Sequence, residues 1–175
     1  PVRAFFNTDV TYGCRPLTVE FNSFVTANAV IQWNFGDGYL ATGSTVTHVF
    51  DTAGIFTVVQ YVDNYCGFDT TFRVIEVLPQ PNLAFSTAPI NCANEVVQFT
   101  NTSMGLQGTL WDFGDGAPRD SVAFSPGHRF PIPGQYQVTL IGTATATGCK
   151  DTIEKTVNIV DYPAADFQIS DVDGC

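Results

Sequence analysis

The sequence predicts an all-β protein: two antiparallel β-sandwiches in tandem. Three observations carry that prediction. First, Trp33-Asn34-Phe35-Gly36-Asp37-Gly38 returns as Trp111-Asp112-Phe113-Gly114-Asp115-Gly116, 78 residues on (111 − 33), and the surrounding sequence returns with it. Second, apolar and polar residues alternate over short runs bounded by Gly, Pro, Asn and Asp, as in half-buried strands. Third, no long window spaces its apolar residues at helical intervals, whereas Val, Thr, Phe and Tyr are abundant. The 175 residues divide into domains 1–79 and 80–162, with 163–175 opening a third, truncated repeat.

In order, Ala4-Phe5-Phe6 opens a first strand, and Cys14 follows in a turn region with Gly13 and Pro16. Leu17, Val19 and Phe21 share one face of the next strand, and Ile31, Trp33 and Phe35 one face of the strand after it. That strand stops at Gly36-Asp37-Gly38, where glycine permits positive φ and the Asp can accept from the backbone two residues on. Residues 39–44 read as a polar loop, 45–50 as a strand, 51–54 as a turn, 55–62 as a long strand, and 70–78 as the last strand. Pro79-Gln80-Pro81 is a short stiff linker. The second copy keeps this order: Cys92 matches Cys14, Phe99 matches Phe21, His128 matches His48, Cys149 matches Cys66. Gln60 is irregular, because it stands on the inward face where the second copy has Leu140. Either the register slips at a bulge there, or Gln60 is buried and hydrogen-bonded. Ala165-Asp166-Phe167 precedes Cys175 as Phe6 precedes Cys14, so the sequence is expected to be a segment of a longer array.

A net charge of −10 argues against nucleic acid as partner, and no apolar run approaches membrane-spanning length, so no membrane insertion is expected. No nucleophile elbow, zinc-protease motif, phosphate loop or acidic dyad is present, so no enzyme activity is expected. Asp37, Asp115, His48 and His128 recur with the turns and read as structural residues rather than catalytic or metal-binding ones.

The recurring Trp-Asx-Phe-Gly-Asp-Gly, the His two residues before an aromatic (His48 and Phe50, His128 and Phe130), and Gly-x-aromatic-x-Val (Gly54 to Val58, Gly134 to Val138) resemble the PKD (polycystic kidney disease) domain. The resemblance covers both full repeats and the start of the third. It implies immunoglobulin-like β-sandwiches of an extracellular, cell-surface protein. The placement of the cysteines is similar to PKD arrays in secreted surface proteins of gliding, type IX-secreting bacteria, which implies a non-catalytic segment of an adhesin stalk or filament. The implied partners are neighbouring PKD repeats, surface glycans or other surface proteins. Similar single modules accompany secreted hydrolases, so an accessory polysaccharide-binding role is the alternative.

Five Cys in an acidic, Thr-rich chain suggest disulfides. Two per full copy make Cys14–Cys66 and Cys92–Cys149 the economical pairing, stabilising by about 4 kcal/mol each in the chain-entropy model. Cys175 is expected to pair with a residue outside this sequence. No cofactor is expected, though Asp171-Val172-Asp173-Gly174 faintly resembles a fragment of a calcium loop. Tyr12, Tyr39, Phe68 and Phe124 fall in predicted loops or edges and are candidate sugar platforms. Asn101-Thr102-Ser103 fits the N-glycosylation pattern. Thr52, Thr70, Ser121 and Thr152 each follow an Asp in a pattern similar to the O-glycosylation sequon of the bacterial lineage named above.

Overall fold

A computed structural model describes residues 2–25 and 28–161, which form strands, turns and loops. They fall into two compact units: residues up to Pro81 with Thr143–Asp151, and Asn82–Gly142 with residues from Thr152 onward.

The first unit holds β1 (Phe6–Thr8), β2 (Tyr12–Cys14), β3 (Leu17–Ser23), β4 (Val30–Asn34), β5 (Leu40–Thr42), β6 (Thr45–Phe50), β7 (Gly54–Asn64) and β8 (Gly67–Leu78). One sheet runs β1-β3-β6 and the other β2-β8-β7-β4-β5. Alternation along the strands sends one set of side chains between the sheets. Phe6, Val19, Phe21, Trp33, Phe35, Phe50, Val58 and Ile75 are buried there. Phe6 meets Trp33 edge-on at 4.9 Å between ring centroids, and Phe21 lies 5.3 Å from Phe35. Burial of these rings is the main source of the unit's stability, since truncating one such ring costs about 3–5 kcal/mol.

The second copy contributes β9 (Phe85–Ser86), β10 (Asn91–Cys92), β11 (Val96–Gln98), β12 (Thr100–Asn101), β13 (Leu106–Asp112), β14 (Gly127–Arg129), β15 (Gly134–Ala144) and β16 (Lys150–Val160). Its main sheet runs β10-β16-β15-β13, and the pairs β11-β14 and β12-β9 form the opposing layer. The core is rebuilt in the same geometry: Phe85 meets Trp111 at 5.0 Å and Phe99 lies 5.2 Å from Phe113.

The structure differs from the sequence reading in several places. Residues 40–42 form strand β5, paired with β4 (Asn34 with Leu40, Trp33 with Ala41), where a loop was expected. The second copy has no such strand, only a bridge between Trp111 and Asp120. Cys14 lies in a strand, not a turn. Strand β2 runs parallel to the end of β8, with Cys14 opposite Leu78, and β10 repeats this with Cys92 opposite Val160. Gln60 is fully buried with unbroken register on both sides, opposite Trp33 and Thr71. There is no bulge, and neither Gln60 Nε2 nor Oε1 has a hydrogen-bond partner among the described residues.

The expected disulfides Cys14–Cys66 and Cys92–Cys149 do not form. Cys14 is bonded to Cys149, with Cα atoms 5.7 Å apart, and Cys66 and Cys92 are free thiols. Strand length explains the difference. Cys66 sits in the β7–β8 turn, beyond the Asn64–Gly67 pair, while Cys14 lies opposite the far end of β8. The full length of that strand separates them, about 36 Å at ~3.3 Å per residue, against the roughly 7 Å limit for a bridge. The same holds in the second copy: Cys149 precedes the first residue of β16 and Cys92 lies opposite the last. The expected third repeat, with Cys175, Asp171 and Asp173, lies outside the described residues.

Candidate interaction site

The most conspicuous polar constellation is duplicated. Asn34 Oδ1 accepts from Gly36 N and Asp37 Oδ1 from Tyr39 N; Asp112 Oδ1 accepts from Gly114 N and Asp115 Oδ1 from Ala117 N. Gly36 and Gly114 have φ of 81° and 73°. A Cβ at Gly114 would lie 2.5 Å from Gln137 O, so glycine is required for close approach to β15 as well as for conformation. The second carboxylate oxygen of each Asp holds a histidine: Asp37 Oδ2 to His48 Nε2 at 2.6 Å, Asp115 Oδ2 to His128 Nε2 at 2.7 Å. Each imidazole stacks on the motif's Phe, at 4.0 Å from Phe35 and 3.8 Å from Phe113. Burial opposes ionisation of the Asp115 carboxyl, but the hydrogen bonds from His128 and the Ala117 amide outweigh it and hold the group below its ordinary range. The Gly114 amide and the Arg119 guanidinium likewise hold Asp112 low. Asp and His therefore brace a turn against a core ring. Among the described residues, no group of three or more His, Cys, Asp or Glu is placed to hold a metal ion.

The outer face of the five-stranded sheet in the first unit is different. Across it run Leu40, Asn34, Val59 and Phe72 in one row and Thr42, Gln32, Tyr61 and Thr70 in the next. Phe72 is 69% exposed, and Tyr61, Val74, Ile55 and Leu40 are exposed with it. A cleft of about 520 Å³ opens beside Tyr61, lined by Gln32, Asn34, Leu40 and Thr42. The second unit supplies an internal control. Where the first has Thr57, Val59, Phe72 and Val74, the second has Gln137, Thr139, Glu154 and Thr156. There Gln137 Nε2 donates to Glu154 Oε2 and Thr156 Oγ1 donates to Gln137 Oε1, knitting a polar surface. The fold evidently does without the exposed rings.

Of the candidate sugar platforms, Tyr12 (opposite Glu76) and Phe68 (opposite Asp63) lie on this sheet at widely separated rows. Tyr39 instead packs beside His48, and Phe124 belongs to the other unit. Tyr61 and Phe72 were missed; the signal was an apolar residue at outward positions of alternating strands. Thr52, Thr70, Ser121 and Thr152 are exposed. Asn101 is not suited to a glycan: it lies in β12, 8% exposed, with Nδ2 enclosed. Attachment there is incompatible with this fold.

A family model of the PKD domain matches residues 2–79 and again 76–160. The chain belongs to the PKD family. It is a tandem structural or interaction repeat, and PKD membership together with a disulfide points to an extracellular protein. No helix among the described residues is long and apolar enough to cross a membrane. Similar solved structures are tandem β-sandwiches at low identity. Fibronectin(III)-like modules of Clostridium thermocellum CbhA share 10% identity over 95% of this chain and 100% of that one, with a TM-score of 0.38. Carbohydrate-binding modules of the β-sandwich superfamily share 17% over 90% and 84%, at 0.42. The I-band fragment of titin shares 14% over 90% and 66%, at 0.39.

Proposed function

We propose that the chain is a non-catalytic segment of a large secreted surface protein, a stalk or filament of the kind found in adhesins of gliding, type IX-secreting bacteria. The observation that carries this reading is the Cys14–Cys149 disulfide, which joins a cysteine of the first PKD repeat to one of the second. A covalent tie from one repeat to the next suits an extended array in an oxidising environment better than two independent catalytic accessories. The acidic surface, with O-glycans at Thr52, Thr70, Ser121 and Thr152, keeps neighbouring arrays apart. Immunogold labelling of intact cells of the producing organism tests it. Label on the cell exterior supports the reading, and label confined to the cytoplasm refutes it.

The Tyr61–Phe72 face favours a second reading, adhesion to polysaccharide. Rings flanked by the amides of Gln32 and Asn34 suit stacking on pyranose faces with hydrogen bonds to hydroxyls. Pull-down on insoluble glycans, with Phe72→Glu copying the second repeat, is the test. A drop in binding of about tenfold is expected, and equal retention of both proteins would refute it.

A further inference from the structure

The bonded pair and the free pair of cysteines are the same two positions, each seen twice. Cys14 and Cys92 occupy equivalent strands, each running parallel to the end of its copy's last strand. Cys66 and Cys149 occupy equivalent turns between the two longest strands of each copy. The Cys14–Cys149 bond therefore joins the strand position of one repeat to the turn position of the next. Within a repeat the two positions lie a whole strand apart, so each can be satisfied only by a different repeat.

We propose that Cys66 and Cys92 are the two open halves of this same joint. Cys92 bonds the turn cysteine of a following repeat, Cys66 bonds the strand cysteine of a preceding one, and successive PKD repeats are cross-linked one to the next. The partner is a further PKD repeat, supplied by a second copy of this chain or by more of the same chain. Cys66 is exposed and Cys92 half-buried, so both are thiols open to exchange. Beside the bonded turn cysteine, Thr147 Oγ1 donates to Pro79 O in the linker while accepting from Cys149 N. The bonded Cys149 is fully buried where its equivalent Cys66 is exposed, as expected of a joint closed at one turn and open at the other. The inference rests on the array reading above.

The chemistry is thiol–disulfide exchange with a small-molecule disulfide. The Cys92 thiolate of one copy attacks oxidised glutathione, forming a mixed disulfide and releasing one glutathione thiolate. The Cys66 thiolate of a second copy attacks the Cys92 sulfur of that mixed disulfide and releases the other. Two protein thiols lose two protons and two electrons, and one glutathione disulfide becomes two glutathione thiols.

The test uses the 175-residue chain with Cys175→Ser, equilibrated in a glutathione redox buffer at about 1 mM protein, near the effective concentration a short linker provides. The readouts are a non-reducing gel and a disulfide peptide map. The expected result is a head-to-tail ladder in which the Cys66–Cys92 bridge exceeds either symmetric bridge by at least about tenfold, while Cys14–Cys149 persists. Adding Cys66→Ser or Cys92→Ser should leave a monomer. In denaturant the preference should vanish, because folded surfaces direct it. Symmetric and asymmetric bridges in statistical proportion, or thiols that stay fully alkylatable after equilibration, would overturn the proposal. Such a failure with surface labelling intact removes the ladder and leaves the stalk; absent surface labelling removes the stalk whatever the thiols do.

Discussion

Gln60→Leu should stabilise the first unit. Gln60 is fully buried, and both its amide oxygen and its amide nitrogen lack partners among the described residues. A buried polar group left unpaired costs about 1–3 kcal/mol. Leucine is similar in volume, and the second copy already places Leu140 at the equivalent point, fully buried in its core cluster. Overpacking therefore adds little, and a gain of about 2 kcal/mol is expected, raising the midpoint of an 80-residue unit by roughly 10 °C. Hydrogen exchange of β7 and β8 peptides across a urea series reads this unit separately from the other. The reverse substitution, Leu140→Gln, should cost about 3 kcal/mol, since it removes apolar burial and adds an unpaired amide. A Gln60→Leu variant that is neutral or less stable would refute the reasoning, because it would mean that the amide is satisfied in solution.

Other substitutions test the remaining claims. Cys14→Ser should destabilise by about 5 kcal/mol in the chain-entropy model for a loop of this length, whereas Cys66→Ser should leave a denaturant midpoint unchanged; equal effects would contradict the pairing. Gly114→Ala meets both positive φ and the Gln137 carbonyl, so it should cost well over the roughly 1 kcal/mol of Gly116→Ala, which has open space around it. Asp112 and Asp115 are held below their ordinary value of 3.8 in the folded state, so the unfolded chain takes up their protons first. Their contribution is complete above that value and is lost as pH falls through and below it. Stability of the second unit should accordingly fall in acid, and Asp115→Asn should flatten that limb; an unchanged slope would count against the brace.

Much of the sandwich was legible because its signals are local. Alternation placed Trp33, Phe35, Val19 and Phe21 on inward faces, and the paired glycines around Asp37 and Asp115 marked the turns. The disulfide was not legible, because it depends on β2 running parallel to the far end of β8, a pairing between residues some 64 positions apart (78 − 14) that no short window encodes. Equivalence of the cysteines was readable; which end of the sandwich each one occupies was not. Strand β5 escaped notice because Leu40-Ala41-Thr42 is too short to show a period. It nevertheless has a consequence for Trp33, whose Nε1 donates to Gly43 O at 2.8 Å just past that strand. The second copy lacks the strand, and there Trp111 Nε1 finds no acceptor among the described residues. The Tyr61–Phe72 face was hidden because a strand that is apolar on both faces looks like a more deeply buried strand until the burial of each side is known.

The Cys14–Cys149 bond also decides where a pull on the chain would be felt. Tension applied at the two ends runs through the residues before Cys14, crosses the sulfur bridge, and leaves through the residues after Cys149. Residues 15–148, including Trp33, Trp111 and the rings of Phe21, Phe35, Phe99 and Phe113, are out of the load path, and about 450 Å of extended chain is withheld from stretching. Strands β1 and β16 stay under load, so a tether built this way can lengthen only by the segments outside the closed loop, whereas sandwiches joined only by their linkers can release their whole chain. Reduction of one bond, rather than a harder pull, is what would let it lengthen further.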